Sequence, residues 1–239
     1  MLLKRRPFKE GKDIVEGVSR NWGRLSAVVR PAKGRGGILD GPCLLRVRLH
    51  SGAGMARLSQ PELLNAFVAV RRDLDLLSSA GFLGRLFCAS LPELESDPKQ
   101  FALLFVLLAG LSEGLCPRLC GLWGQEQLLI LLGISPHLSS CVECGNEEVA
   151  GFSSVAGGGL CRSCYRGEGF AVTESALSLS GHLRDSDLSD AILGSSESDI
   201  RILGRVYKDQ FTEHLGLGPE FFRRVLSPKK ERSFGSTRD

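Results

Sequence analysis

Residues 141–164 read CVECGNEEVAGFSSVAGGGLCRSC. Two Cys-x-x-Cys pairs, Cys141/Cys144 and Cys161/Cys164, flank sixteen residues, which falls within the four-cysteine zinc pattern. A Cys-x-x-Cys turn aims two thiolates at one ion while the backbone folds tightly behind them, and Gly145 supplies the permissive residue after the first turn. Zn²⁺ takes four soft ligands in a tetrahedron, so two such turns close one site. Phe152 to Val155 reads as a short strand, and Gly157-Gly158-Gly159 as a glycine-rich return. The stretch predicts a small zinc ribbon with one structural ion and no open coordination position. Two disulfides or a redox pair are the competing readings. Against them, no secretory leader is visible, and a redox motif needs only one pair in a βαβ setting.

Working outward, the charge is uneven. Residues 1–60 hold 13 Lys/Arg and 4 Asp/Glu, a net of +9; residues 61–239 hold 17 and 23, a net of −6. A basic head on a mildly acidic body points to a polyanionic partner, nucleic acid or an anionic membrane. The longest apolar run, Phe101 to Leu111, is 11 residues, too short to span a bilayer, so a soluble cytoplasmic protein is expected.

The head reads as strands. Leu2 to Arg6 ends at Pro7, Asp13 to Ser19 alternates, and Asn21-Trp22-Gly23-Arg24 makes a turn before Leu25 to Arg30. Leu44 to Leu49 puts Leu45, Val47 and Leu49 on one face and Arg46 and Arg48 on the other. A turn at Ser51 to Gly54 leads to Met55–Leu58. Five short strands at this size predict an oligonucleotide-binding barrel.

Helix is expected from Ser59, where Ser59-x-x-Glu62 has the form of a capping box with Pro61 in the first turn, running to a stop at Gly81. Asp97-Pro98 opens an apolar helix to Gly114, and Pro117 precedes another, ended by Gly133. Thr173 opens a short helix. Ser196-x-x-Asp199 opens a longer one, with Ile200, Leu203, Tyr207, Phe211 and Leu215 in one stripe and Gly216 as its stop. Pro219 to Leu226 gives a last turn or two. The class is therefore α+β. It divides into an N-terminal barrel over residues 1–60, a helical domain over 61–135, a zinc ribbon over 136–170, returning helices over 171–227, and a basic tail over 228–239.

Taken together, these features resemble the bacterial recombination mediator family RecO. The stretches that carry the resemblance are Leu3 to Glu10 through Asp13-Ile14-Val15 and Gly23 to Val28; Leu132-Gly133-Ile134-Ser135-Pro136-His137-Leu138 leading into Cys141–Gly145; and Tyr207, His214-Leu215-Gly216 and Phe221-Phe222. The chain departs from the family pattern in a first strand that opens almost at Met1 and in a short loop after Arg30. The resemblance implies a non-enzymatic protein that binds single- and double-stranded DNA and anneals complementary strands. With RecR, and in many bacteria RecF, it would help RecA replace single-strand-binding protein, whose acidic C-terminal tail it would recognise.

For strand binding without sequence preference, a positive groove and stacking surfaces are needed. The head offers Arg5, Arg6, Lys9, Lys12, Arg24, Arg30, Lys33, Arg35, Arg46 and Arg48. Phe8 and Trp22 are stacking candidates, with packing the plainer role, favoured for Trp22. For an acidic, apolar-ended tail the candidates are Arg201, Arg205, Arg223 and Arg224 near Phe221 and Phe222, although terminal phenylalanines more often anchor a helix. No phosphate loop is present: Gly34-Arg35-Gly36-Gly37 lacks the lysine and the following helix. His50, His137, His182 and His214 show no metal or triad spacing. Cys116 and Cys120, one helical turn apart, read as two buried apolar cysteines. A zinc-ribbon adaptor that binds another protein, without annealing, is the alternative function.

Overall fold

The computed structural model describes residues 1–30, 36–52, 54–190 and 195–222. Lys33, Arg35, Arg223, Arg224 and the tail at 228–239 lie outside them. The head contains β1 (Leu2–Pro7), β2 (Asp13–Ser19), β3 (Gly23–Val29), β4 (Leu44–Gly52) and β5 (Gly54–Asn65). They form one sheet in the order β1-β2-β3-β5-β4, with β3 and β5 parallel and the other neighbours antiparallel. The sheet is not closed into a barrel. Its two edges meet at one bridge, where the Leu2 N–H donates to the Cys43 carbonyl (2.9 Å) and the Cys43 N–H to that of Leu2 (3.2 Å). Leu2, Val15, Ala27, Val29, Cys43 and Leu58 fill the inside of the curved sheet.

The helix expected at Ser59 is instead strand. β5 runs to Asn65, pairing Ser59 with Arg48, Glu62 with Arg46 and Leu63 with Leu45. An extra residue near Gln60 (φ 49°) makes a bulge, one of the few kinds of place where a proline such as Pro61 fits a ladder, since it has no N–H to donate. The helical body begins later, with α1 (Val68–Arg72) and α2 (Leu74–Ser90). The Asp73 carboxylate caps α2, accepting from the N–H groups of Asp75 (2.8 Å) and Leu76 (3.0 Å). Gly81 does not stop α2. The helix continues because Phe82, Leu83, Leu86 and Phe87 are all buried. Gly84 lets β1 approach: a Cβ there would stand 3.0 Å from Leu3 Cδ2.

The expected caps recur further on. Asp97 caps α3 (Pro98–Ser112), and α4 spans Pro117–Leu131. Thr173 caps α5 (Glu174–Asp185), and Ser196 caps α6 (Glu197–Leu215), which ends at Gly216 with φ 65°. A short α7 (Pro219–Phe222) closes the described chain. Leu104, Leu107 and Leu108 of α3, Leu128 and Leu129 of α4 and Leu203, Tyr207 and Phe211 of α6 form one buried core. Cys120 is buried in it, but Cys116 is exposed at the start of α4, so the two are not a buried pair.

Between α4 and α5 the chain leaves as a three-stranded ribbon: β6 (Gly151–Ser153), β7 (Gly158–Leu160) and β8 (Phe170–Ala171), in the order β7-β6-β8. Its aromatic face joins the helical core through Phe152 and Phe170, whose rings are 5.6 Å apart. The Arg205 guanidinium of α6 lies 3.9 Å over the Phe170 ring. The connector into the ribbon is pinned from three helices. Arg184 of α5 donates to the Pro136 carbonyl (3.2 Å) and Ser135 Oγ (2.9 Å), Ser135 donates to Glu126 of α4 (3.1 Å), and Gln210 of α6 donates to the Ile134 carbonyl (2.8 Å). No helix among the described residues is long and apolar enough to cross a membrane.

Candidate metal centre and nucleic-acid face

Two turns build the metal centre. In the first, the Gly145 N–H donates to the Cys141 carbonyl (2.9 Å), with Gly145 at φ 77°. In the second, the Tyr165 N–H donates to the Cys161 carbonyl (2.8 Å). The Val142 N–H bonds the Gly159 carbonyl at 2.9 Å, which ties the first turn to the β7 strand leading into the second. The four sulfurs of Cys141, Cys144, Cys161 and Cys164 all lie within 4.8 Å of one another, and those of Cys144 and Cys161 are 3.6 Å apart. Thiolates tetrahedral about one zinc ion stand about 3.8 Å apart, so donor set and spacing both fit a closed four-sulfur site. Ser163 Oγ lies 3.0 Å from Cys161 Sγ. That contact, with the Cys164 N–H, pulls the Cys161 thiol down to about 6. The backbone N–H of Cys161 likewise lowers Cys141. Those two shifts favour the thiolate a metal needs, whereas Cys144 and Cys164 shift upward, Cys164 first through its contact with the Cys144 thiol, so donor set and spacing carry the fit. His137 is no ligand; its Nε2 bonds Ser140 Oγ at 2.8 Å.

The head's cations divide by what they touch. Arg5 is tied to Asp13 (2.7 Å) and to Asp40. Arg24 is half-buried and donates to the Cys88 carbonyl (3.4 Å), fastening the sheet to the end of α2. These two hold the fold together. Arg6 pairs with Glu16 (3.3 Å) and Arg46 with Glu62 (2.8 Å), both on the surface, where such pairs are weak and exchangeable. Lys9, Arg30 and Arg48 are exposed and Lys12 is half-buried. Arg46 and Arg48 do share the outer face of β4, as the alternation predicted.

Of these, Lys12 and Arg30 meet in one place. A groove of about 570 Å³ runs beside β3 and β5, lined by Phe8, Lys12, Arg30, Met55, Arg57 and Gln60 among others. No carboxylate among the described residues lines it. Two other clefts of the head do carry acids, Glu16 in one and Asp13 and Asp40 in the other. Arg57 had no distinguishing sequence signal: it is the lone cation of its strand segment, and only the parallel pairing of Val28 with Arg57 brings it beside Arg30. Phe8 is 46% exposed and Trp22 54%. Of the core or turn packing expected for Trp22, the core is therefore ruled out. Its turn is held by backbone instead, where the Leu94 N–H donates to the Arg24 carbonyl (3.2 Å).

The C-terminal candidates separate. Phe222 is buried and Phe221 half-buried, both packed on Phe82 of α2 at ring distances of 6.1 and 6.2 Å. Arg85 lies 5.2 Å over the Phe221 ring. The pair anchors α7. Arg205 is taken up by Phe170, and Arg201 donates to the Glu197 carbonyl (3.3 Å). Among the described residues no hydrogen bond or ring contact joins either arginine to the phenylalanines.

A family model described as "Recombination protein O C terminal" matches residues 71–220. The DNA repair protein RecO of Bacillus mycoides (strain KBAB4) is 28% identical over 166 residues, 67% of each chain. RecO proteins of Bacillus cereus (strain AH187) and Bacillus anthracis match to the same extent.

Proposed function

The chain belongs to the RecO family of recombination proteins, and on that premise we propose that it is a non-enzymatic mediator of DNA repair and recombination in the cytoplasm. It binds single- and double-stranded DNA, anneals complementary strands and, with RecR and in many bacteria RecF, helps load RecA onto DNA coated with single-strand-binding protein. The observation that carries the DNA-binding part is the groove with Arg30 and Arg57 on its walls and no carboxylate among its described lining residues. Cations without opposing acids favour phosphate, each contact releasing counterions. Arg46 and Arg48 extend the positive surface along β4.

Annealing follows from the same chemistry. Neutralised phosphates repel one another less, so two strands come together while their bases stay free to pair. The two turns carrying Cys141, Cys144, Cys161 and Cys164 would hold one zinc ion. Bound there, zinc supplies cross-linking rather than catalysis, because four thiolates leave no open position. Its role is to keep the ribbon folded against α6.

Strand annealing of complementary oligonucleotides, with and without single-strand-binding protein, tests the reading. Acceleration that survives the coating protein and is lost in an Arg46→Glu/Arg48→Glu variant is expected. No acceleration at any salt would favour an adaptor that acts only by binding other proteins.

A further inference from the structure

The groove beside β3 and β5 has more than charge. Phe8 stands at its rim with 46% of its surface exposed, and Met55 with 48%. Phe8 is held in place: its N–H donates to the Lys12 carbonyl (2.8 Å), closing the short β1–β2 connection. Gln60 reaches the same groove from the β5 bulge, in a left-handed backbone conformation that a non-glycine residue adopts only where its surroundings impose it. A bulge re-aims a side chain, and a glutamine amide offers a donor and an acceptor to a base edge. Lys12, Arg30 and Arg57 supply cations along the same walls. A purely electrostatic phosphate track needs neither exposed apolar side chains nor a primary amide.

Resting on the DNA-binding reading above, we propose that this groove takes an unpaired nucleotide, its base against Phe8 and Met55, its edge at Gln60, and its phosphates on Arg30 and Arg57. Base pairs stacked in a duplex cannot present a face to Phe8, so this site separates single strands from duplex, whereas the outer face of β4 does not. Base–aromatic stacking tolerates any sequence, as an annealing protein requires.

The test uses the full chain and three probes: an oligo-deoxythymidylate, an abasic strand of the same length and charge, and a hairpin duplex. Wild type should bind the thymidylate strand about tenfold more tightly than the abasic one, within the range for one stacked base. Phe8→Ala should lose that preference and leave abasic and duplex affinities unchanged, and Phe8→Trp should keep it. Arg30→Glu/Arg57→Glu should weaken all three. Phe8 is exposed, so folding is not at stake in its replacement, and circular dichroism of each variant checks this. A Phe8→Ala variant that weakens all three probes equally, or none, overturns the nucleotide pocket while leaving DNA binding in place. A wild type that binds none of the probes overturns the DNA reading itself, and the pocket with it.

Discussion

Arg184→Met tests how the helical body holds the metal ribbon. Glu126 is 0% exposed, and its Oε1 accepts from Arg184 Nε (3.1 Å) and Ser135 Oγ (3.1 Å). Its Oε2 has no hydrogen-bond partner among the described residues. The same guanidinium reaches Ser135 and the Pro136 carbonyl. Methionine keeps much of the aliphatic stem and removes the charge, leaving a buried carboxylate without its counterion. Breaking a buried pair by removing one partner costs about 3–5 kcal/mol. The Arg184 side chain is 38% exposed, so water screens part of the interaction and the lower end, about 3 kcal/mol, applies. For a chain of this size that lowers Tm by about 6–12 °C. Thermal unfolding followed by circular dichroism reads it. Replacing the partner as well, Glu126→Met/Arg184→Met, should recover at least about 2 kcal/mol, because an apolar pair no longer buries a charge. A loss below about 1 kcal/mol in the single variant, or a double variant that loses the sum of both single losses, would refute the reasoning.

Three further outcomes follow. Cys161→Ala should abolish binding of one zinc ion per chain, read by metal analysis, and should lower Tm of the whole protein, because Phe152 and Phe170 belong to the main core. Retained stoichiometric zinc would contradict the four-sulfur site. Gly169→Ala should cost at least about 2 kcal/mol in chemical denaturation, since Gly169 has φ 98° and a Cβ would fall 1.9 Å from the Phe152 carbonyl oxygen; a neutral change would contradict the close approach. Asp199 is held below the usual carboxylate range by Ser196, then Ser175 and Thr173. Its contribution is fully present above the unfolded value of about 3.9 and is lost as pH falls through the lower folded value. Asp199→Asn should therefore show a shallower loss of stability in acid than wild type, and an identical slope would contradict this.

What the sequence disclosed depended on how local the physics was. The four cysteines could be read because two rigid turns define a site whatever surrounds them. Asp97, Thr173 and Ser196 could be read because a cap bonds N–H groups two or three residues away. Ser59 has the same local form, yet pairing with Arg48 on β4 outweighs it, and no residue near Ser59 announces that strand. Gly81 looks like a stop until Phe82 and Phe87 are seen buried on either side of Leu83 and Leu86. The basic head was legible as a composition but not as a set of roles. Arg5 is engaged by Asp40, 35 residues away, and Arg24 by Cys88, 64 away. Arg57 comes to the groove only through the β3–β5 pairing.

The central claim is that the groove along β3 and β5 binds DNA through its cations. The most direct measurement is the affinity for an oligo-deoxythymidylate across a salt series, for wild type and for Arg30→Glu/Arg57→Glu. Each phosphate contact on a single strand contributes about 0.7 to the magnitude of the log-affinity against log-salt slope. The variant, with two cations removed, should bind more weakly at low salt and show a slope smaller by about 1.4. Equal slopes and equal affinities for the two proteins would contradict the account and move DNA binding off this groove.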